Sequence, residues 1–254
     1  MDLRTPTDRL HAHARMLADT NGSLVYWLHF AQIYAEVPGG PVMLLARAQT
    51  CAVLRATHKG NKLRVAYREA GIYLAPDSDQ MLTEFRNPVT GKVTKMDPHF
   101  REGPAVYTRT ATPVTIMGNS ELDVKTQRPV RWSWHSSGTK IWMINDDPGT
   151  FAPGDPKSEK VQARDPLSGR ILQTWHADQR DLARPRLTSV PCFKNYVVAT
   201  SAWMPFFGDP GVRGSSFIRG MGSKLNEQQV LQTPEYQKLL ETHADFFAEA
   251  RKAS

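Results

Sequence analysis

Along most of this chain apolar and polar residues alternate with a period of two, and only the two ends carry the spacing of a helix. At the first end, Thr5 supplies a hydroxyl cap, Pro6 suits the first helical position and Asp8 places an acid in the first turn. Leu10, Ala14 and Leu17 follow at helical spacing, which predicts a helix over 5–21 stopped by Asn21-Gly22. At the other end, Thr233 and Pro234 open a second helix over 233–251. Its stripe of Tyr236, Leu239, Leu240, His243, Phe246 and Phe247 suits packing on a sheet, and a homodimer surface would look the same. Residues 24–222 between them read as antiparallel strands. The expectation is one mainly β (α+β) domain over 1–254, a curved or closed, barrel-like sheet with a helix near each end.

Within the sheet, the alternation sorts side chains by face. Leu24 to Val37 is apolar on both faces, and His29 is the polar exception on the face that carries Val25, Trp27, Ala31 and Ile33. Residues 42–57 read as two short strands, followed by a hairpin turn at His58-Lys59-Gly60-Asn61. From Leu63 to Ala75, Leu63, Val65, Tyr67, Glu69, Gly71 and Tyr73 share one face, while Arg68 belongs to the other. Glu69 is thus an acid among apolar and tyrosine side chains. Burial there would raise its pKa and suit it to proton transfer; a structural ion pair with a neighbouring arginine is the other reading. Further along, Tyr107 lies in a strand, and Arg131, Ser133 and His135 alternate with Trp132 and Trp134, forming either a polar wall for a ligand or a solvated face.

Two punctuated stretches stand out. Asn87-Pro88-Val89-Thr90-Gly91-Lys92-Val93 is echoed by Asp165-Pro166-Leu167-Ser168-Gly169-Arg170-Ile171, a pattern that predicts two tight hairpins. Downstream, a strand from Asn195 runs into Trp203, Met204, Pro205, Phe206 and Phe207, then through glycines and Pro210 to Arg213. A loop this apolar either folds over the core or lines a site for an apolar ligand, with Arg213 as its fixed positive charge.

Composition narrows the partners. A net charge of +7 would suit a polyanion, yet Lys and Arg are interspersed with Asp and Glu, so no nucleic-acid partner is expected. No apolar run is long enough to cross a bilayer and the first residues do not form an export signal, which predicts a cytoplasmic protein without a membrane partner. The two cysteines, Cys51 and Cys192, sit in apolar strands and read as reduced core thiols. Neither has zinc-ligand spacing, and the pair Asp146-Asp147 lacks a third ligand, so no metal is expected. Dinucleotide fingerprints and nucleophile elbows are also missing, so no cofactor is expected.

Tyr67-Arg68-Glu69 with Tyr73, the Asn87-Pro88 to Gly91 turn leading to Met96-Asp97-Pro98, and the tryptophan-proline-aromatic segment with Gly220 and Lys224 occur in an order that resembles the bacterial and fungal family called domain of unknown function 1838. The resemblance spans most of 24–250. Phe85-Arg86 stands before Asn87-Pro88 where such proteins carry a tryptophan. The resemblance implies an order of blocks and no chemistry.

The residues themselves point to a cofactor-independent lyase or isomerase acting by acid/base catalysis on a hydrophobic aromatic small molecule, one case being a plant-derived aromatic dimer cleaved with release of a small aldehyde. In this reading Glu69 moves the proton, Arg213 or Arg68 steadies an oxyanion, and Tyr67, Tyr73 or His135 donates a hydrogen bond. Trp27, His29, Tyr107, Arg131, Trp203 and Phe206 would bind the substrate. The alternatives are a carrier or sensor of the same kind of molecule, and a structural dimerisation module.

Overall fold

The computed structural model describes residues 2–114, 123–151, 167–204, 207–208, 211 and 213–252. In chain order the elements are α1 (Pro6–Leu17), β1 (Val25–Glu36), β2 (Met43–Lys59), β3 (Lys62–Leu74), β4 (Glu84–Arg86), β5 (Val93–Lys95), β6 (His99–Thr108), β7 (Ala111–Val114) and β8 (Asp123–Pro129). They continue with β9 (Trp132–Ser137), β10 (Lys140–Phe151), β11 (Leu167–Asp178), α2 (Gln179–Ala183), β12 (Phe193–Thr200), β13 (Ser215–Leu225), α3 (Glu227–Leu231) and α4 (Pro234–Lys252).

Nine strands pair in the order β6-β3-β2-β1-β13-β12-β11-β10-β9, every neighbouring pair antiparallel, so the fold is mainly β with a few helices. The sheet is open: among the described residues its edge strands β6 and β9 share no ladder. Of the curved or closed sheet expected from the sequence, the antiparallel sheet is present and closure is not what the ladder shows. The two edges are instead brought to one interior by α1, whose His13 ring lies 5.1 Å from Tyr107 on β6 and 4.4 Å from Trp132 on β9. One long strand, Met43–Lys59, stands where two short ones were expected over 42–57.

Helix α1 begins as its sequence dictates, with the Asp8 amide donating to Thr5 Oγ1 at 3.2 Å. It ends at Leu17, short of Asn21-Gly22, because tertiary donors take its terminal carbonyls. Trp27 Nε1 reaches the Leu17 carbonyl at 2.8 Å, and Lys224 Nζ and the Val190 amide reach that of Arg15. The buried Arg15 side chain in turn donates to the carbonyls of Asp181, Leu182 and Arg184, tying α1 to α2.

Strands β1, β2 and β3 are covered on both faces over part of their length, which explains why β1 opens with the unbroken apolar run Val25–Leu28. Tyr26, Leu28, Cys51, Val53, Ala70 and Ile72 turn outward onto Tyr236, Leu239 and Phe247 of α4, whereas Trp27, Ala52, Leu54 and Val65 turn inward toward α1. The C-terminal stripe is therefore core packing. Helix α4 departs from helical geometry at His243, whose Nε2 lies 3.2 Å from the Gly71 carbonyl.

The first Asn-Pro motif forms its hairpin: Asn87 Oδ1 accepts from the amides of Val89 and Thr90, and Gly91 adopts φ +69° between β4 and β5. The second copy does not repeat it. Residues 165–166 lie outside the described residues, and Leu167 to Ile171 are extended in β11, paired with β10. Both cysteines are buried free thiols. Among the described residues no helix is long and apolar enough to cross a membrane.

Candidate functional site

The inward face of the sheet carries a buried polar cluster centred on Glu69, which is 7% exposed. The strand register assembles it. One row across the sheet runs Trp175, Lys194, Gly222, His29, Thr50, Gly71, His99, and Glu69 lies in the adjoining row between Ala52 and Arg101. Thr50 Oγ1 donates to Glu69 Oε1 at 2.5 Å and Tyr67 donates its phenolic proton to Oε2. His29 Nδ1 stands 3.3 Å from Thr50 Oγ1 and 3.5 Å from Oε1, and His99 Nε2 stands 3.7 Å from Oε2.

Two glycines make room for the rings. A Cβ at Gly222 would fall 2.1 Å from His29 Cδ2, and one at Gly220 would fall 2.2 Å from Tyr196 Cζ, so each ring lies across bare backbone of β13.

Burial, the largest single influence on Glu69, favours its neutral form, but the hydrogen bonds of His29 and His99 together with their electrostatic pull outweigh it. The carboxyl is held well below its usual range. This reverses the direction expected from burial alone and makes Glu69 an ionised base at neutral pH. His29 is pushed down to about 4 by burial and by the charge of Lys194, with Glu69 opposing. It is neutral at pH 7. Burial and the Glu69 charge push Tyr67 well above the usual phenol range, so it rests protonated and donates.

Beside this cluster is a cavity of about 110 Å³. Tyr67, Arg101, Tyr107, Asn145, Gln173 and Lys194 give it polar groups, and Trp132 and Trp175 with His13 and Leu17 of α1 give it apolar walls. Glu69 itself does not line it; the Tyr67 side chain is the link between carboxylate and cavity. Lys194 Nζ lies 5.1, 5.0 and 5.7 Å from the ring centres of Trp27, Trp175 and Tyr196. Burial lowers its pKa to about 8, with Glu69 opposing and Arg101 assisting.

The family model for the protein of unknown function (DUF1838) matches residues 22–254, a span that contains every element from β1 to α4 and all of this cluster. The chain belongs to that family. No curated protein matches the sequence. In this DUF1838 protein, the sequence-predicted site residues fall into three groups. Glu69, Tyr67, His29 and Trp27 come together; Tyr107 lines the cavity with Tyr67, and the Glu69 charge reaches the half-buried Tyr73. Arg68, His135, Arg131 and Arg213 are elsewhere. Arg68 points to the outer face, 2.9 Å from Glu102 and 3.4 Å from Glu249 and over the Phe246 ring. Arg131 and His135 are exposed on β9 because Trp132 and Trp134 take the inner face, and Arg213 is exposed. Trp203 packs with Met204, Phe207, Phe85 and Ile33 in a separate cluster, its Nε1 bonded to the Glu36 carbonyl, so these described residues of the apolar stretch belong to core and do not line the cavity. Phe206 lies outside the described residues.

Sequence reasoning missed Thr50, His99, Arg101, Tyr196 and above all Lys194. The alternation of Lys194, Tyr196 and Val198, opposite Gly220 and Gly222, was the available signal. Among the described residues no group of three His, Cys, Asp or Glu is arranged to hold a metal ion. Because Arg68 is part of an outer ion-pair network, Arg68→Ala is expected to cost at most about 1 kcal/mol in urea denaturation and to leave ligand binding at its wild-type level by calorimetry.

Proposed function

We propose that the protein is a cofactor-independent lyase or isomerase that moves a proton through Tyr67 and Glu69. The observation that carries this reading is a buried, ionised carboxylate hydrogen-bonded to a phenol that lines a cavity. The substrate gives a proton to the Tyr67 oxygen as the phenolic proton passes to Glu69 Oε2, and the electron pair left on the substrate is steadied by Lys194. In an isomerase the proton returns from Tyr67 to a second carbon. In a lyase it comes from a hydroxyl: the C=O forms, the neighbouring C–C bond breaks, a small aldehyde leaves, the electron pair stays on the fragment facing Lys194, and the proton returns through Tyr67 to that carbon, which restores the Glu69 carboxylate. At about 110 Å³ the cavity is smaller than the roughly 150 Å³ that accommodates benzene, so a single ring is its upper limit and an aromatic dimer does not fit within it.

The test is proton exchange. A panel of single-ring α-aryl carbonyl and β-hydroxy carbonyl compounds, with and without a carboxylate, is incubated with the protein in D2O and followed by proton NMR. Exchange or cleavage is expected with the wild type and is expected to fall about 100-fold or more in Glu69→Gln and Tyr67→Phe. A compound that binds the wild type but neither exchanges nor cleaves would leave the carrier as the surviving reading.

A further inference from the structure

The cavity holds an imbalance of charge. Arg101 and Lys194 both line it, and among the described residues no Asp or Glu does. Glu69 is close enough for its charge to act on Lys194, yet its oxygens are engaged by Thr50, Tyr67 and two histidines. Arg101 is the direct cross-strand neighbour of Glu69, a position in which an ion pair would be ordinary. Among the described residues it forms none. Its guanidinium instead lies over the Tyr67 ring, 5.4 Å from the centre, on the side of the cavity. The Lys194 ammonium likewise meets three aromatic rings and, among the described residues, no carboxylate within ion-pair distance. Two enclosed cations facing one space are costly unless an anion shares it.

We infer that the cavity binds a small organic carboxylate of about one ring in size, its charge held between Arg101 and Lys194 and its apolar part against Trp132 and Trp175. This rests on the cavity being the reaction site and names its substrate class as an aromatic or short-chain acid. The guanidinium fork matches a carboxylate, and Asn145 and Gln173 are placed to bond the ligand's neutral polar groups. A ligand of this kind completes the local charge balance that the fold leaves open.

Calorimetric titration with benzoate, benzamide and benzylamine tests it, because the three share a ring and differ in charge. Benzoate is expected to bind at least about tenfold more tightly than benzamide, and benzylamine not at all. Arg101→Met and Lys194→Met are expected to weaken benzoate about tenfold or more without weakening benzamide, and Lys194→Arg to restore benzoate binding; circular dichroism establishes that each variant is folded. Equal binding of benzoate and benzamide, no binding of benzoate, or unchanged benzoate affinity in both folded methionine variants overturns the inference. The two readings fail separately. Proton exchange without benzoate binding removes the acid as substrate class, and benzoate binding with no exchange across the panel removes the proton transfer.

Discussion

Acidification from about pH 7 to about pH 4.5 is expected to strip several kcal/mol from the folding stability, chiefly through His13 and His29. Burial takes His13 down to about 3, and burial with Lys194 takes His29 to about 4, both from an ordinary 6.5. A histidine whose folded pKa is depressed favours the neutral form when folded. Its stability is fully present above about 6.5 and is lost as pH falls toward the folded value, because only the unfolded chain takes up the proton. At about 1.4 kcal/mol per unit, each of the two would cost on the order of 2 to 3 kcal/mol by pH 4.5. His11, His58, His176 and His243 are all shifted in the same direction by burial, and Glu69 adds its own loss once pH falls below the ordinary carboxylate value. His13→Phe isolates one contribution. Among the described residues neither ring nitrogen of His13 has a hydrogen-bond partner, and the ring packs on Tyr107, Trp132 and Trp175, so phenylalanine suits the site. Urea denaturation across this range is expected to give a shallower pH dependence for the variant; an unchanged slope would refute the assignment.

Gly222→Ala is expected to damage stability and site together. The new methyl would sit 2.1 Å from His29 Cδ2 and 2.8 Å from its Nε2, and the ring has little freedom to retreat, with Trp27 stacked at 6.0 Å and Tyr196 edge-on at 6.1 Å. Overpacking of this kind costs about 1 to 3 kcal/mol. Any displacement of His29 also loosens its contacts with Thr50 and Glu69, so the carboxyl pKa should rise. The urea midpoint and the pH at which Glu69 protonates, followed by carbon NMR, are both expected to move. A stable variant with Glu69 titrating as in the wild type would mean that the glycine serves no such purpose.

Helix ends and face alternation were legible in the chain because they depend on neighbours a few residues apart. Thr5-Pro6 and Thr233-Pro234 mark helix starts, and the inward placement of Tyr67, Glu69 and His29 follows from strand period alone. What surrounds Glu69 does not follow from it. His99 and Arg101 come from β6 and His29 from β1, and Lys194 from β12 lies more than a hundred residues away, so the make-up of the cluster depends on register across five strand boundaries. Burial taken alone therefore gave the opposite sign. Of the two readings of the Trp203 loop, core packing holds for its described residues: the aromatic content announces that it is covered, while what it packs on, Phe85 and Met96 from the β4 and β5 region, depends on distant parts of the chain.

The seam between β6 and β9 sets the width of the interior by means a closed barrel does not have. Where hydrogen bonds join every strand to the next, diameter is tied to strand number and shear. Here three rings, His13, Tyr107 and Trp132, span the gap. Exchanging side chains at those positions is expected to resize the chamber while each backbone ladder keeps its register, one residue at a time.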